Sequence, residues 1–246
     1  MTAKPHVHPV HSPGGRLLTR VSPADHPWQR ALWFAVKYVN GENFWEEPEG
    51  QPFGRQVEVG GGRIEWRSHR GDLVLEEQRV VDRRELDRPD GDAYALDWTT
   101  SLRPVVDVEL ERTPYTTWGG YGGLTLRGAG DWEDTRMLLA DGSEHRRPEG
   151  VPSPWCDLSG PDAGMLFLDH PSNARHPVPW YGATRSRVYG TDGWSNYLNA
   201  AFLFHEGMRL AAGEVLTLRY RIVVHDGPPW SVDECASAWE AWVGDG

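Results

Sequence analysis

Along much of the chain apolar and polar residues alternate with a period of two, which marks a strand with one buried and one solvated face. Between 104 and 112, Val106, Val108 and Leu110 share one face while Asp107, Glu109 and Glu111 share the other. The same parity runs through Tyr94, Leu96, Trp98, Thr100 and Leu102, and again through Leu216, Leu218, Tyr220, Ile222 and Val224. Both runs are long enough to cross a sandwich. Shorter runs at 16–21, 31–39, 62–67, 72–82, 122–127, 164–168 and 200–205 bring the expected total to about ten strands.

Turn signals separate these runs. Asn40-Gly41 is a hairpin signal, because both residues tolerate positive φ. Gly60-Gly61-Gly62, Pro89-Asp90-Gly91 and Asp141-Gly142 punctuate the rest. One helix is predicted at the C-terminal end: Ser231 and Glu234 have capping-box spacing, Trp230 is placed to staple onto Cys235, and Val232, Cys235, Trp239 and Trp242 form an apolar stripe. Strands followed by a single terminal helix predict an all-β fold, a large antiparallel β-sandwich with a short C-terminal helix. Residues 16–246 read as one domain, and the Pro-, His- and Gly-rich residues 1–15 as a flexible tail.

Composition supports this reading. The 246 residues include 28 glycines and 19 prolines, close to a fifth of the chain against an average of about 12%. The net charge of −11 argues against a nucleic-acid partner, since phosphate binding needs clustered positive charge. No apolar run approaches the ~20 residues that cross a bilayer, and residues 1–15 lack a signal peptide's apolar segment. A cytoplasmic protein without a membrane partner is expected. Cys156 and Cys235 are read as reduced, buried small hydrophobes. Lys4 and Lys37 are the only lysines, and with Lys4 in the tail, Lys37 is the one Schiff-base candidate.

Candidate chemistry gathers in loops. Trp66, Trp98, Trp239 and Trp242 fall on apolar faces and are expected to pack, whereas Trp28, Trp118, Trp180 and Trp194 lie in segments without core periodicity. A loop indole suits the apolar C–H face of a sugar, and the same residues equally suit the covering of long loops. The densest polar segment, Asp169-His170-Pro171-Ser172-Asn173-Ala174-Arg175-His176-Pro177-Val178-Pro179-Trp180, follows at once on an apolar strand. It reads either as a site on a rigid scaffold or as a crossover that satisfies its own backbone. Asp25-His26-Pro27-Trp28-Gln29-Arg30 places a carboxylate, an imidazole and a guanidinium side by side.

His26, His170 and His176 would make a three-histidine set with an open position, as catalytic Zn or Mn sites require, if they met in space. His6, His8 and His11 are tail residues able to hold metal adventitiously. Glu76, Glu77 and Asp97 are strand carboxylates of the kind that paired acids in glycoside chemistry use. No nucleophile elbow, phosphate-binding loop or dinucleotide fingerprint is present, and Gly119-Gly120-Tyr121-Gly122-Gly123 lacks the following helix that would cradle a phosphate.

Several segments together resemble a family of soluble bacterial proteins labelled PmoA-like after a methane monooxygenase subunit. They are Asp25-His26-Pro27 with Arg30 to Phe34, Val39-Asn40-Gly41 with Phe44-Trp45, the segment from Asp169 to Trp180, and Leu218-Arg219-Tyr220 with His225-Asp226-Gly227. The resemblance implies a supersandwich of the galactose mutarotase-like kind, a small-molecule carbohydrate as ligand, and a setting beside sugar oxidoreductases. It also implies His26, Arg30, Asn40, Arg127, His170, Asn173, His176 and Trp180 as site residues. Trp28, Gln29 and Ala31 stand where the family pattern has two further histidines and a glycine.

The expected function is a carbohydrate-active lyase, hydrolase or epimerase. In it His170 or His176, with His26, transfers the proton and Arg127 and Arg30 polarise a carbonyl or carboxylate; Asn173 and Asn40 bind hydroxyls and Trp180 and Trp28 stack on the ring. A non-catalytic sugar-binding protein is the alternative, and a metal-dependent oxidoreductase the third reading.

Overall fold

The computed structural model describes residues 4–86, 93–114, 121–186 and 193–244. Among them, three antiparallel sheets are formed. The first has six strands in the spatial order His6–Val7 (β1), Leu32–Val36 (β2), Gly122–Arg127 (β10), Trp194–Ala200 (β17), Pro179–Ser186 (β16) and Glu149–Pro152 (β13). The second has nine: Glu144–His145 (β12), Arg136–Leu139 (β11), Trp155–Ser159 (β14), Ala163–Asp169 (β15), Leu216–Asp226 (β19), Ala93–Pro104 (β8), Leu73–Glu85 (β7), Arg63–Arg67 (β6) and Arg55–Gly60 (β5). A small sheet joins Met208–Leu210 (β18), Val108–Glu111 (β9), Tyr38–Val39 (β3) and Glu42–Asn43 (β4).

The two large sheets face one another across one continuous core, so the architecture is an all-β sandwich. Period-two alternation explains which residues fill it. Tyr94, Leu96, Trp98 and Leu102 of β8 and Leu216, Leu218, Tyr220, Ile222 and Val224 of β19 all point inward, opposite Leu32, Phe34 and Val36 of β2. A charged group is buried in the same layer. Glu77 on β7 accepts hydrogen bonds from Arg79 Nε at 2.7 Å and Trp66 Nε1 at 2.9 Å, while Arg79 donates to the carbonyls of Phe34 and Pro5. That network ties the nine-stranded sheet to β2 and to the N-terminal segment. Glu76 lies on the neighbouring strand position, paired in register with Arg103 on β8 and Glu65 on β6. Glu76 and Glu77 therefore face opposite sides of the sheet, and the acid pair considered for glycoside chemistry does not form between them.

The helix predicted at the C-terminal end runs Val232–Gly244 (α1). Glu234 accepts from the Ser231 backbone N–H at 2.8 Å and Ser231 Oγ caps the Glu234 N–H, which is the expected reciprocal box. Its stripe of Val232, Cys235, Trp239 and Trp242 packs against Trp155, Leu166, Leu168 and Val223 on the outer face of the nine-stranded sheet. Both cysteines are free and buried, and burial pushes both thiols well above their ordinary range.

Several expectations change. Residues 4–15 are docked rather than loose: β1 pairs with β2, Val10 sits in the core, and Gly14 N–H donates to Asp226. The valines at 7 and 10 supply enough apolar surface to hold a segment whose Pro and His content suggested a tail. His6, His8 and His11 are accordingly placed by contacts of the segment: His6 Nδ1 meets the Lys4 carbonyl, His8 Nδ1 meets Thr19 Oγ1, and the His11 carbonyl accepts from Tyr94 Oη. The 16–21 run makes only isolated bridges, the 200–205 run is a turn, and Val106 is exposed because the strand begins at Val108. Pro89-Asp90-Gly91, Trp118, Gly119 and Gly120 lie outside the described residues.

Candidate functional site

The outer face of the six-stranded sheet is lined by side chains in register across four strands. Trp33 on β2 pairs with Thr125 on β10, Thr125 with Asn199 on β17, and Asn199 with Tyr181 on β16. The adjoining row runs from Arg127 to Tyr197 to Ala183. These positions alternate with Leu32, Phe34, Leu124, Leu126, Leu198 and Trp180, which belong to the inner core, so both faces of the sheet are covered.

Aromatic rings close over this floor. Trp45 lies 5.4 Å from Trp33 and stacks on Tyr121 at 5.1 Å, and Tyr121 meets Tyr181 and Tyr197 edge-on at 5.6 and 6.1 Å. Phe204 completes the set beside Tyr181 at 6.2 Å. Among them lies a polar group without a donor: Asn199 is fully buried, its Nδ2 donates to Thr125 Oγ1 at 2.9 Å, and its Oδ1 has no hydrogen-bond partner.

The rim is charged. Asp25 Oδ2 holds His26 Nδ1 at 2.8 Å, and Arg127 Nη2 spans both Asp25 oxygens at 3.0 and 2.8 Å while its Nη1 donates to Gln29 Oε1 at 3.1 Å. Burial works to raise the Asp25 pKa, but the His26 hydrogen bond and the Arg127 charge outweigh it and hold the carboxyl below the ordinary aspartate range. Trp28 packs edge-on to His26 at 5.2 Å and rests against the aromatic cluster. The dyad is thereby fixed between the sheet floor and a half-buried indole.

A depressed carboxyl stabilises the fold only while it is ionised. The contribution of Asp25 is complete above the unfolded value of 3.8 and is lost as pH falls through the lower folded value. In acid unfolding followed by tryptophan fluorescence, the stability gap between the wild type and Asp25→Asn should be widest near neutrality and close as pH drops below 3.8. A gap that widens on acidification would contradict the arrangement.

Other charges beside this face are paired structurally. Arg30 Nη2 reaches both oxygens of Glu47 at 3.0 and 3.1 Å, and its Nη1 donates to Ser22 Oγ at 2.8 Å and to the Pro27 carbonyl, so it braces the 22–30 loop rather than polarising a carbonyl. Lys37 pairs with Glu46 at 2.6 Å. Lys4, expected in a tail, is buried; it donates to the Trp28 and Trp45 carbonyls and pairs with Glu47 at 3.3 Å. Burial chiefly lowers its pKa to about 8, with Glu47 opposing. Ala31, where the resembled pattern has glycine, sits at φ 41, a left-handed conformation that costs a non-glycine residue about 1–2 kcal/mol.

The 169–180 segment lies elsewhere, at the end of β15 under the C-terminal helix. Asp169 is buried and accepts from Asn173 Nδ2, Val178 N–H and His176 Nδ1 at 2.7, 2.9 and 2.7 Å. Burial pushes its carboxyl up, against those hydrogen bonds. Asn173 also bonds both the N–H and the carbonyl of Arg219, each at 2.7 Å, so it laces the loop to β19 rather than facing a ligand. His176 stacks on Trp239 with planes 6° apart, and Trp239 Nε1 donates to the Asp169 carbonyl. The loop mostly satisfies its own backbone and anchors α1.

The expected convergence of His26, His170 and His176 is therefore not formed. His26 sits against the six-stranded sheet, whereas His170 and His176 contact Trp242 and Trp239 of the helix on the nine-stranded sheet. Among the described residues no three His, Cys, Asp or Glu side chains come together as a metal site would need. Asn40, at φ 51, shapes the β3–β4 hairpin and bonds the Asp107 carbonyl and Glu109 N–H. Trp194 Nε1 donates to Thr135 and Thr184. Trp180 is a core residue, with no exposed surface and its Nε1 bonded to the Ser153 carbonyl at 2.9 Å, so it is no sugar platform. Trp180→Phe should cost about 1–3 kcal/mol in urea unfolding through lost volume and a stranded carbonyl, and leave ligand affinity of the folded protein unchanged.

A model of a family of unknown function, DUF6807, matches residues 1–240. The chain belongs to the DUF6807 family. No curated protein matches it. In this DUF6807 chain no helix among the described residues is long and apolar enough to cross a membrane. Trp33, Tyr181, Tyr197 and Asn199 of the DUF6807 face did not stand out as site residues because they lie on strands buried on both faces, and Trp45 lies in the bend after β4; the pairing of Trp33-Ala35 with Leu32-Phe34 was the available signal.

Proposed function

We propose that this protein is a carbohydrate-active enzyme that uses histidine acid–base chemistry on a sugar, glycoside or keto-sugar at the Asp25–His26 margin of the six-stranded sheet. The observation that carries the reading is the Asp25–His26 dyad, braced by Arg127 and set beside Trp28 at that margin. With Nδ1 committed to Asp25, the imidazole exchanges protons with a ligand through Nε2, and the ionised Asp25 stabilises the imidazolium that forms. Arg127 acts on Asp25 and is a positioning residue. Trp28, half-buried beside His26, offers apolar surface to sugar C–H groups.

Lyase, hydrolase and epimerase reactions share this proton transfer. A keto group acidifies the neighbouring C–H, so elimination from a keto-glycoside asks least of a single imidazole; such a substrate requires a preceding sugar oxidation. The motif resemblance to PmoA-like proteins and their mutarotase-like sandwich argues in the same direction.

The test is incubation of the full chain with glycosides and their 3-keto derivatives, read by mass spectrometry, with NMR for epimers of unchanged mass. Product from the wild type and none from His26→Gln is expected. Equal product from both proteins overturns the site. Saturable sugar binding without turnover in the wild type overturns the enzymatic reading in favour of a sugar-binding protein.

A further inference from the structure

The nine-stranded sheet carries a second hollow that the reading above does not use. Helix α1 covers only part of the outer face, and where it ends a groove of about 290 Å³ opens between Trp242, His170 and the bare strands β7, β8 and β19. The floor is a register-matched grid. Val80, Thr99 and Arg219 form one row across the three strands, and Asp82, Asp97 and Arg221 form the next.

Charge in this grid is unevenly spent. Asp97 is held by Arg221 through two bonds of 2.6 and 2.9 Å and by Arg84 Nε at 2.6 Å, so one carboxylate faces two guanidiniums. Arg219 contributes a third guanidinium, exposed and without an ion pair among the described residues, while its backbone is fixed by Asn173. Against these three cations the lining has two carboxylates, Asp82 and Asp97. A net positive hollow is unusual on a chain of net charge −11.

The walls suit a polar ring. Ser172 N–H donates to His170 Nδ1 at 3.1 Å, so the neutral imidazole carries its proton on Nε2 and presents a donor. Burial and the Arg219 charge both favour that neutral form. Trp242 meets His170 edge-on at 5.1 Å and lies over the Arg221 guanidinium at 5.6 Å, which leaves a half-buried indole at the wall.

We propose that this groove binds an anionic monosaccharide, its carboxylate or phosphate on Arg219, its hydroxyls on Asp82, Thr99 and His170, and its ring against Trp242. The sugar acid and the sugar phosphate share the chemistry the groove recognises, a polyol bearing one anionic group. The site is separate from the Asp25–His26 face and stands or falls independently of it.

Isothermal titration of the full chain with glucuronate, glucose 6-phosphate, glucose and inorganic phosphate tests this. At least one of the two anionic sugars should bind with Kd below about 1 mM, at least tenfold tighter than glucose or inorganic phosphate. Which one binds identifies the anionic group. Arg219→Gln, an exposed change, should weaken that binding at least tenfold, whereas His26→Gln should leave it intact. Unchanged affinity in Arg219→Gln, loss of affinity in His26→Gln, equal binding of inorganic phosphate, or no binding of either anionic sugar overturns the proposal.

Discussion

Glu77→Leu is expected to destabilise the protein by about 3–5 kcal/mol, because it removes one member of a buried ion pair and leaves the other charged in the core. Arg79, Trp66 and Thr100 all donate to the Glu77 carboxylate, and Arg79 has nowhere to turn for a counter-charge, since its remaining bonds go to the Pro5 and Phe34 carbonyls. Urea unfolding followed by tryptophan fluorescence reads the loss. The double variant Glu77→Leu/Arg79→Met should recover a substantial part of it, because removing both charges costs less than orphaning one. Additive losses would show that the pair contributes through shape alone.

His26→Gln carries the largest expected effect on chemistry. If the imidazole performs the proton transfer, its loss should lower kcat/KM by about 10²–10⁴-fold with the folded structure intact, since glutamine keeps a donor within reach of Asp25. Asp25→Asn should produce a smaller loss and shift the pH profile, because the ring would lose the carboxylate that orients Nδ1. Circular dichroism separates these losses from unfolding. A variant with wild-type kcat/KM would remove His26 from the mechanism.

Sequence pattern exposed the parts of the fold that alternate. Strands β8 and β19 were legible residue by residue, because one face of each is solvated or paired with polar groups while the other fills the core. The helix was legible because its cap and its stripe are local. By contrast, Trp155–Ser159 and Pro179–Ala183 are buried on both faces, so no period separates inside from outside. The apolar run 200–205 misled for the same reason: its side chains fill the seam beside Tyr181 while the backbone turns.

The site divided in a similar way. Asp25 and His26 are neighbours in sequence, so their pairing was within reach; the Arg127 that braces them lies 102 residues away. Asp169, Asn173 and His176 attracted attention by polar density, yet those groups are spent on Val178, Arg219 and Trp239. Local density reports demand for hydrogen bonds, and only tertiary structure shows which partner meets it.

Strand order also sets a schedule for biosynthesis. Strand β8 is an interior strand of the nine-stranded sheet, paired on one side with β7 and on the other with the central β19, whose Arg221 follows Asp97 by 124 residues. At translation speeds of about 5–20 residues per second, the nascent chain holds the open edge of β8 for on the order of ten seconds before its partner leaves the ribosome. That interval is when this sequence is most exposed to mispairing with other chains, and when a holding chaperone would matter most to its yield.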